Sequence, residues 1–256
     1  MIGKIMQKSS AHWYNSDGEP AYEVPSADGK KMVKTTVIQA RKLGLLPSVT
    51  TVFKILNKEA INAWRIKEMF KAVRDNPQLG GESDESYEQR IVDIADSVSS
   101  KARLTGDKIH KYCEFALSGA NPRTLECDIP EATKDAIDKF IGSHITNPQS
   151  EVLCINNKYR YAGRVDCICN FDGVTAILDF KSQDTKGGDA RYYDEMCYQG
   201  SAYCLAKDVK RFISVIISST DHGKLEWKEW TTEEILNGRK TFLLMLALFK
   251  RINKVR

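Results

Sequence analysis

The chain of 256 residues predicts an α/β protein in which a central mixed β-sheet is flanked by helices and preceded by a helical N-terminal region. Three observations lead there. Apolar residues recur at helical spacing as far as residue 147, and from residue 151 the pattern changes to strand-like runs. Asp172-Gly173, a dipeptide suited to a two-residue hairpin turn, separates two such runs. The order of elements is helices, three strands, a helix, two strands and a final helix, an alternation that belongs to helices packed on a sheet.

The elements follow in order. Residues 1–35 are polar and mixed, with Gly18, Pro20, Pro25 and Gly29, and read as an extended or loosely hairpinned arm. Ser48 or Thr50 can cap the next helix, where Val52, Ile55 and Leu56 recur at helical spacing. Asn57 is expected to interrupt it before Ala60, Ile61, Trp64, Met69 and Phe70 form a second apolar face, with Trp64 in the core. The segment RDNPQLGGESDES is a loop by composition. A long helix over 84–118 follows, acidic in its first turns, stopped at Gly119 and broken at Gly106. Residues 130–147 form another helix with Ile137, Phe140, Ile141 and Ile145 on one side. Three strands then occupy 151–181, turning at Asn156-Asn157 and Asp172-Gly173. A polar loop leads to a helix over 193–206, strands at 210–218 and 224–230, and a terminal helix at 232–253. No internal repeat or break in composition divides the chain.

Composition narrows the class. Charged residues make up 28% and apolar residues 42%, which is too apolar for a disordered chain. A net charge of +4 suits a polyanionic partner without requiring one. There is no secretory apolar segment and no run of apolar residues long enough for a membrane helix. Seven cysteines, an odd number in no zinc-finger or disulfide-scaffold spacing, fit free thiols in a reducing cytoplasm.

The hairpin RVDCICNFDGVTAILDFKSQ carries the chemistry. A two-residue turn at Asp172-Gly173 pairs Phe171 with Val174, and that register sets Asp166 opposite Asp179. Lys181, two residues beyond, shares their face. The other face, with Val165, Cys167, Cys169, Phe171, Val174, Ala176, Leu178 and Phe180, is core. Two facing carboxylates repel one another, and a structural Asp–Lys–Asp knot explains the pair less well than a divalent cation, which accepts oxygen ligands from both.

These residues resemble the signature of the PD-(D/E)XK nuclease superfamily, an acidic residue on one strand and acidic-x-Lys on the next, here Asp166 and Asp179-Phe180-Lys181. Asp179 stands where many relatives have glutamate, and the RecB-like branch commonly has aspartate. TGDKIHKYCE resembles the G-x-x-x-H segment of RecB-like exonucleases, and YQGSAY their Q-x-x-x-Y helix. LPSVTTVFKILNKEAINAW resembles the N-terminal segment of mitochondrial genome maintenance-type and phage exonucleases.

The resemblance spans roughly residues 45–206 and implies a restriction-endonuclease-like core. It further implies a single nuclease domain over 1–256, with 1–83 a polar arm and helical DNA-facing region and 84–256 the catalytic core. It implies Mg²⁺ or Mn²⁺ held by His110, Asp166, Asp179 and the Phe180 carbonyl, with Lys181 catalytic and Gln199 and Tyr203 bordering the site. Glu114, one helical turn beyond His110, faces the same way. Some similar nucleases carry an iron–sulfur cluster, but no C-x2-C clamp exists here and none is expected.

The expected partner is DNA, single-stranded or with free ends. Candidate contacts are Ser48 and Thr50 at a helix start, Arg65 and Lys67 on the second helix, and Tyr192 and Tyr193 in the loop after the catalytic strand. The expected activity is a DNA exonuclease. A structure-selective endonuclease for flapped or branched DNA is the alternative, and a non-catalytic DNA-binding protein on the same scaffold a third. Compactness and resemblance suggest a phage or viral origin, hence the host cytoplasm.

Overall fold

The computed structural model describes residues 12–26, 28–56, 59–121 and 124–255, with side chains of 59–61 outside the description. Asn57 and the Ala60 and Ile61 side chains, to which the sequence assigns a break and an apolar face, therefore lie outside the described residues. Within the N-terminal arm, β1 (Trp13–Tyr14), β2 (Glu23–Pro25) and β3 (Met32–Lys34) are short, and β2 pairs antiparallel with β3. Trp13 is wholly buried, so this polar segment also contributes a core residue. α1 (Val37–Leu43) opens on a capping box formed by Thr36 and Gln39. β4 (Leu46–Pro47) pairs with β1, and α2 (Val49–Val52) runs into a 3-10 turn at Phe53–Ile55.

α3 (Glu59–Asp75) and α4 (Asp84–Leu117) pack through Met69 and Ala72 against Tyr87, Ile91, Ile94 and Ala95. That stripe is narrow, so Trp64 is 38% exposed and Phe70 71% exposed, contrary to their expected place on a buried face. α4 continues through Gly106 without a break. A Cβ built there would lie 3.4 Å from Ser182 Oγ, so the glycine lets the helix pass close to the sheet. Ser83 caps its start, and Asp84 and Glu85 complement the helix dipole.

α5 (Glu131–His144) ends earlier than its apolar spacing suggests, and Ile145 begins β5 (Ile145–Asn156). Pro148 supplies the reason, because a proline disfavours helical backbone in the residue before it, and Asn147 has a positive φ of 52°. β6 (Tyr161–Phe171) follows a four-residue connection, not a two-residue turn at Asn156-Asn157. β7 (Val174–Gln183), α6 (Asp194–Lys207), β8 (Phe212–Ser218), β9 (Leu225–Glu229) and α7 (Thr232–Asn253) complete the chain.

The five long strands form one mixed sheet in the order β5-β6-β7-β8-β9. Only β7 and β8 are parallel, joined by the crossover helix α6. One face is covered by α4 and α5 through Ile109, Tyr112, Leu117, Ile137 and Phe140, which meet Cys167, Phe171, Leu178 and Phe180. The other meets α2, α6 and α7 through Val52, Cys204, Phe242 and Leu246. Each large side chain buried here stabilises the fold by about 1.5–3 kcal/mol before conformational entropy is counted. Two residues leave the face assigned to them. Val165 packs in the α6–α7 cluster, and Val174, at the turn, is 54% exposed.

Candidate active site

The Asp172-Gly173 turn forms with φ of 48° and 82°, the two positive values that a type I′ hairpin needs. The ladder keeps the expected register from Phe171–Val174 to Cys167–Leu178. It stops one step short of Asp166 and Asp179, so these two are not a backbone-paired couple. In place of a strand acceptor, the Phe180 N–H donates to Asp166 Oδ2 at 2.7 Å. The carboxylate thus enters the gap between the strands and satisfies a backbone donor that the interrupted ladder would leave bare.

Asp179 is 1% exposed. Its Oδ1 accepts from Gln199 Nε2 at 3.3 Å, and its Oδ2 lies 2.6 Å from Lys181 Nζ. That close ion pair is the partner of the buried Oδ2. His110, on α4, brings Nδ1 to 3.8 Å from Asp166 Oδ2. Gln199 Nε2 is also 3.5 Å from the Tyr203 hydroxyl. α6 presses close to the sheet because Gly200 faces Phe212, where a Cβ would fall 2.1 Å from the ring. Gly163 likewise leaves room for the Tyr203 ring.

Burial and the neighbouring Asp179 charge push the Asp166 carboxyl up to about 7. Burial alone would lower Lys181, but the Asp179 and Asp166 charges outweigh it and raise the ammonium above its ordinary value. Burial and the Lys181 charge lower His110, which favours the neutral imidazole that can act as a ligand. Burial and the Asp179 charge hold the Tyr203 phenol well above its usual range, so it stays protonated. Asp166, Asp179 and His110 are the groups that could hold a cation. Among the described residues no three His, Cys, Asp or Glu side chains already converge at ligand distance.

The outlying candidates divide. Ser48 is 3% exposed, and its hydroxyl accepts from the Thr51 N–H as the cap of α2, so it is turned inward; Thr50 is exposed. Arg65 and Lys67 are exposed on α3, Arg65 lying 3.8 Å from Asp96. Tyr192 packs against the α6–α7 core, and burial raises its phenol to about 12. Tyr193 is 51% exposed beside it. All seven cysteines are free thiols. Glu114 is exposed, but its charge reaches Glu151 on β5, a residue that sequence reasoning passed over. The sequence held no signal for it. With the two-residue turn expected at Asn156-Asn157, Asn147 would fall across from Asp166, and only the four-residue connection of the structure sets Glu151 there.

No protein-family model matches the chain, and no curated protein matches it in sequence. Among solved structures it is similar to the crystal structure of SSO0001, with 16% identity over 44% of this chain and a TM-score of 0.28. The chain spans only 56% of the length of that protein. It is also similar to a "Putative exonuclease" from Eubacterium rectale, with 11% identity over 59% of this chain and 68% of that one, at a TM-score of 0.39. Neither score reaches the range in which two chains share a fold, so neither likeness bears on function. Among the described residues no helix is long and apolar enough to cross a membrane.

Proposed function

We propose that the protein hydrolyses phosphodiester bonds in DNA with a divalent cation, acting as an exonuclease on single-stranded or frayed ends. The observation that carries this reading is the opened end of the β6–β7 hairpin. There the buried Asp179 and the half-buried Asp166 stand beside one lysine, Asp179 Oδ2 lying 2.6 Å from its Nζ. Two carboxylates beside a single lysine leave net negative charge that a divalent cation would offset.

The donor set fits Mg²⁺ or Mn²⁺: two carboxylates and a neutral imidazole, with the Phe180 carbonyl as a further candidate. When bound, such an ion supplies Lewis-acid polarisation of a phosphoryl oxygen and stabilisation of the leaving oxygen. Asp166 and Asp179 would hold the ion, and Gln199 fixes the orientation of Asp179 through its amide. Lys181, kept protonated by the two carboxylates, donates to the phosphate and offsets charge developing on it. Tyr203, protonated and buried, braces Gln199. The scaffold fits the restriction-endonuclease-like reading of one nuclease domain, in which the N-terminal helices face DNA. Tyr193 and the Arg65 and Lys67 cations are suited to stacking and phosphate contact.

The test uses end-labelled linear single-stranded, linear duplex and closed circular single-stranded DNA, each with Mg²⁺, Mn²⁺ or EDTA, and wild type beside Lys181→Ala. Loss of linear DNA alone, absent in EDTA and in the variant, is the expected result. Cutting of circles would move the reading to an endonuclease. Binding without any cleavage by wild type would overturn it.

A further inference from the structure

We infer that the outer face of α7, with the end of α1 beside it, docks an acidic amphipathic helix of another protein. Leu244, Leu248 and Ile252 follow one another at four-residue spacing and are 73%, 52% and 62% exposed. They make a ridge about 12 Å long on a helix whose inner face, with Phe242, Met245, Leu246 and Phe249, is core. Seating α7 on the sheet requires only that inner face to be apolar, so the outer ridge adds nothing to the fold. α1 brings the exposed Ile38 and Leu43 to the same end of the molecule, since Arg41 Nε and Nη2 donate to the Asn253 carbonyl at 3.2 and 2.7 Å. This surface lies outside the candidate active site, and the inference does not rest on the cation-dependent reading.

The charge framing the ridge selects the partner. At this end α1 and α7 meet the β5–β6 connection, where Arg160 Nη2 donates to the Gly44 carbonyl at 3.0 Å and Lys250 Nζ to the Tyr159 carbonyl at 2.9 Å. Residues 29–58, 152–165 and 235–256 carry sixteen Lys and Arg and no Asp or Glu, in a chain whose whole excess is +4. Lys42, Lys240, Arg251 and Lys254 are exposed, and among the described residues none of them pairs with a carboxylate. Burial and the Arg160 charge lower the Lys250 ammonium, a sign that cations crowd one another here. The helix dipoles explain the cations in the last turns of α1 and α7, but neither Lys240 nor the absence of acids. Cations around an apolar ridge are complementary to leucine-like side chains flanked by Asp and Glu, and a ridge of four-residue spacing packs into the groove of a second helix. A second copy of this chain placed ridge to ridge would set cation against cation. Nucleic acid would meet the cations and leave the leucines bare. Among the described residues the exposed aromatic rings suited to stack on bases or anchor at a lipid surface, Trp64, Phe70, Tyr193 and Trp227, all lie on other elements.

The experiment titrates the full chain into a fluorescein-labelled synthetic helical peptide with leucine at every fourth position and glutamate on both flanks, and follows its anisotropy. Parallel arms use a scrambled peptide of the same composition, labelled single-stranded DNA, and vesicles of phosphatidylserine and phosphatidylcholine. Wild type should bind the ordered peptide in preference to the scrambled one. Leu248→Ser should weaken that binding roughly 10-fold and Arg251→Glu by several-fold. Both side chains are exposed, so Tm should stay nearly unchanged, and Leu244→Ser, at the most exposed position of the ridge, repeats the test. Equal binding of the two peptides, or binding of the ordered one that ignores the leucine variants, would reduce the surface to a charged patch and overturn the inference. Vesicle binding that Leu248→Ser abolishes, with the peptide unbound, would overturn it in favour of a membrane surface. DNA binding that Arg251→Glu weakens and Leu248→Ser leaves alone, with the peptide unbound, would overturn it in favour of nucleic acid. A wild type that binds none of the probes overturns it outright.

Discussion

The two ends of the β6–β7 hairpin are built from the same strands and behave oppositely. At the turn, side chains from other elements tie the hairpin down. Arg211 Nη1 donates to the Phe171 and Val174 carbonyls at 2.9 and 3.3 Å, and its remaining nitrogens hold Glu229 in two bonds of 2.8 Å. His144 Nδ1 meets Asp172 Oδ1 at 2.9 Å, and its ring stacks on Phe171. At the far end the ladder stops, a side chain replaces a backbone acceptor, and the buried Asp179 carboxylate pairs with the Lys181 ammonium. A sheet that closes one end of a hairpin fully can hold the other end open without losing register. The closed end carries stability, and the open end keeps polar groups available for a ligand.

The strongest way to break the comparison is Lys181→Ala, which touches the open end alone. DNA hydrolysis should fall roughly 100-fold or more, with the far-ultraviolet circular dichroism unchanged. An equal loss of activity and of folded signal would mean that the open end is structural after all. Gly163→Ala tests how closely that end is packed. Its Cβ would sit 2.8 Å from Tyr203 Cε1 and 3.4 Å from Val49 Cγ2, so the ring that braces Gln199 must shift. Overpacking of this kind costs about 1–3 kcal/mol. Denaturant unfolding should register it together with a drop in kcat.

Arg211→Ala makes the complementary cut at the turn. Removing the bonds to Glu229 and to two carbonyls should lower stability by about 2 kcal/mol, read as a fall in Tm with kcat nearly unchanged. A selective loss of kcat would show that the two ends are coupled.

The last test is a pH dependence in the metal-free protein. Asp166 has a folded-state pKa raised to about 7, so the folded chain binds the proton more tightly than the unfolded one. Its ionisation therefore opposes folding. The cost is absent below the unfolded carboxyl's pKa, grows as pH rises, and is complete above about 7. In EDTA, wild type should lose stability relative to Asp166→Asn on going from pH 5 to pH 8. Parallel stability curves for the two proteins would place the Asp166 carboxyl at an ordinary value.

Much of the fold was legible because its causes are local. The terminal helix falls at Thr232–Asn253 as its apolar spacing and the Thr231–Glu234 capping box dictate, and α6 and the last two strands lie within two residues of their expected limits. The Asp172-Gly173 turn determined the hairpin register, which is why Asp166, Asp179 and Lys181 could be brought together from sequence. Proline 148 was equally readable, but the apolar side of the preceding helix masked it. Trp64 and Phe70 show the opposite limit, since amphipathic spacing cannot say that α3 meets only one narrow partner.

By itself, then, the sequence determined most of the strands and helices from residue 84 onward, and that two aspartates and a lysine share one end of a hairpin. Periodicity and turn chemistry act over a few residues, and those few residues carry them. Only the tertiary structure decided that the ladder stops at Cys167–Leu178, that Asp166 takes the Phe180 N–H, and that Glu151 stands beside Asp166 in a left-handed conformation. Those features depend on three strands and on α4 and α6 closing over them. Whether a backbone pair forms or yields to a side chain is set by the balance of burial, charge and packing across all of these, and no short stretch of sequence contains that balance.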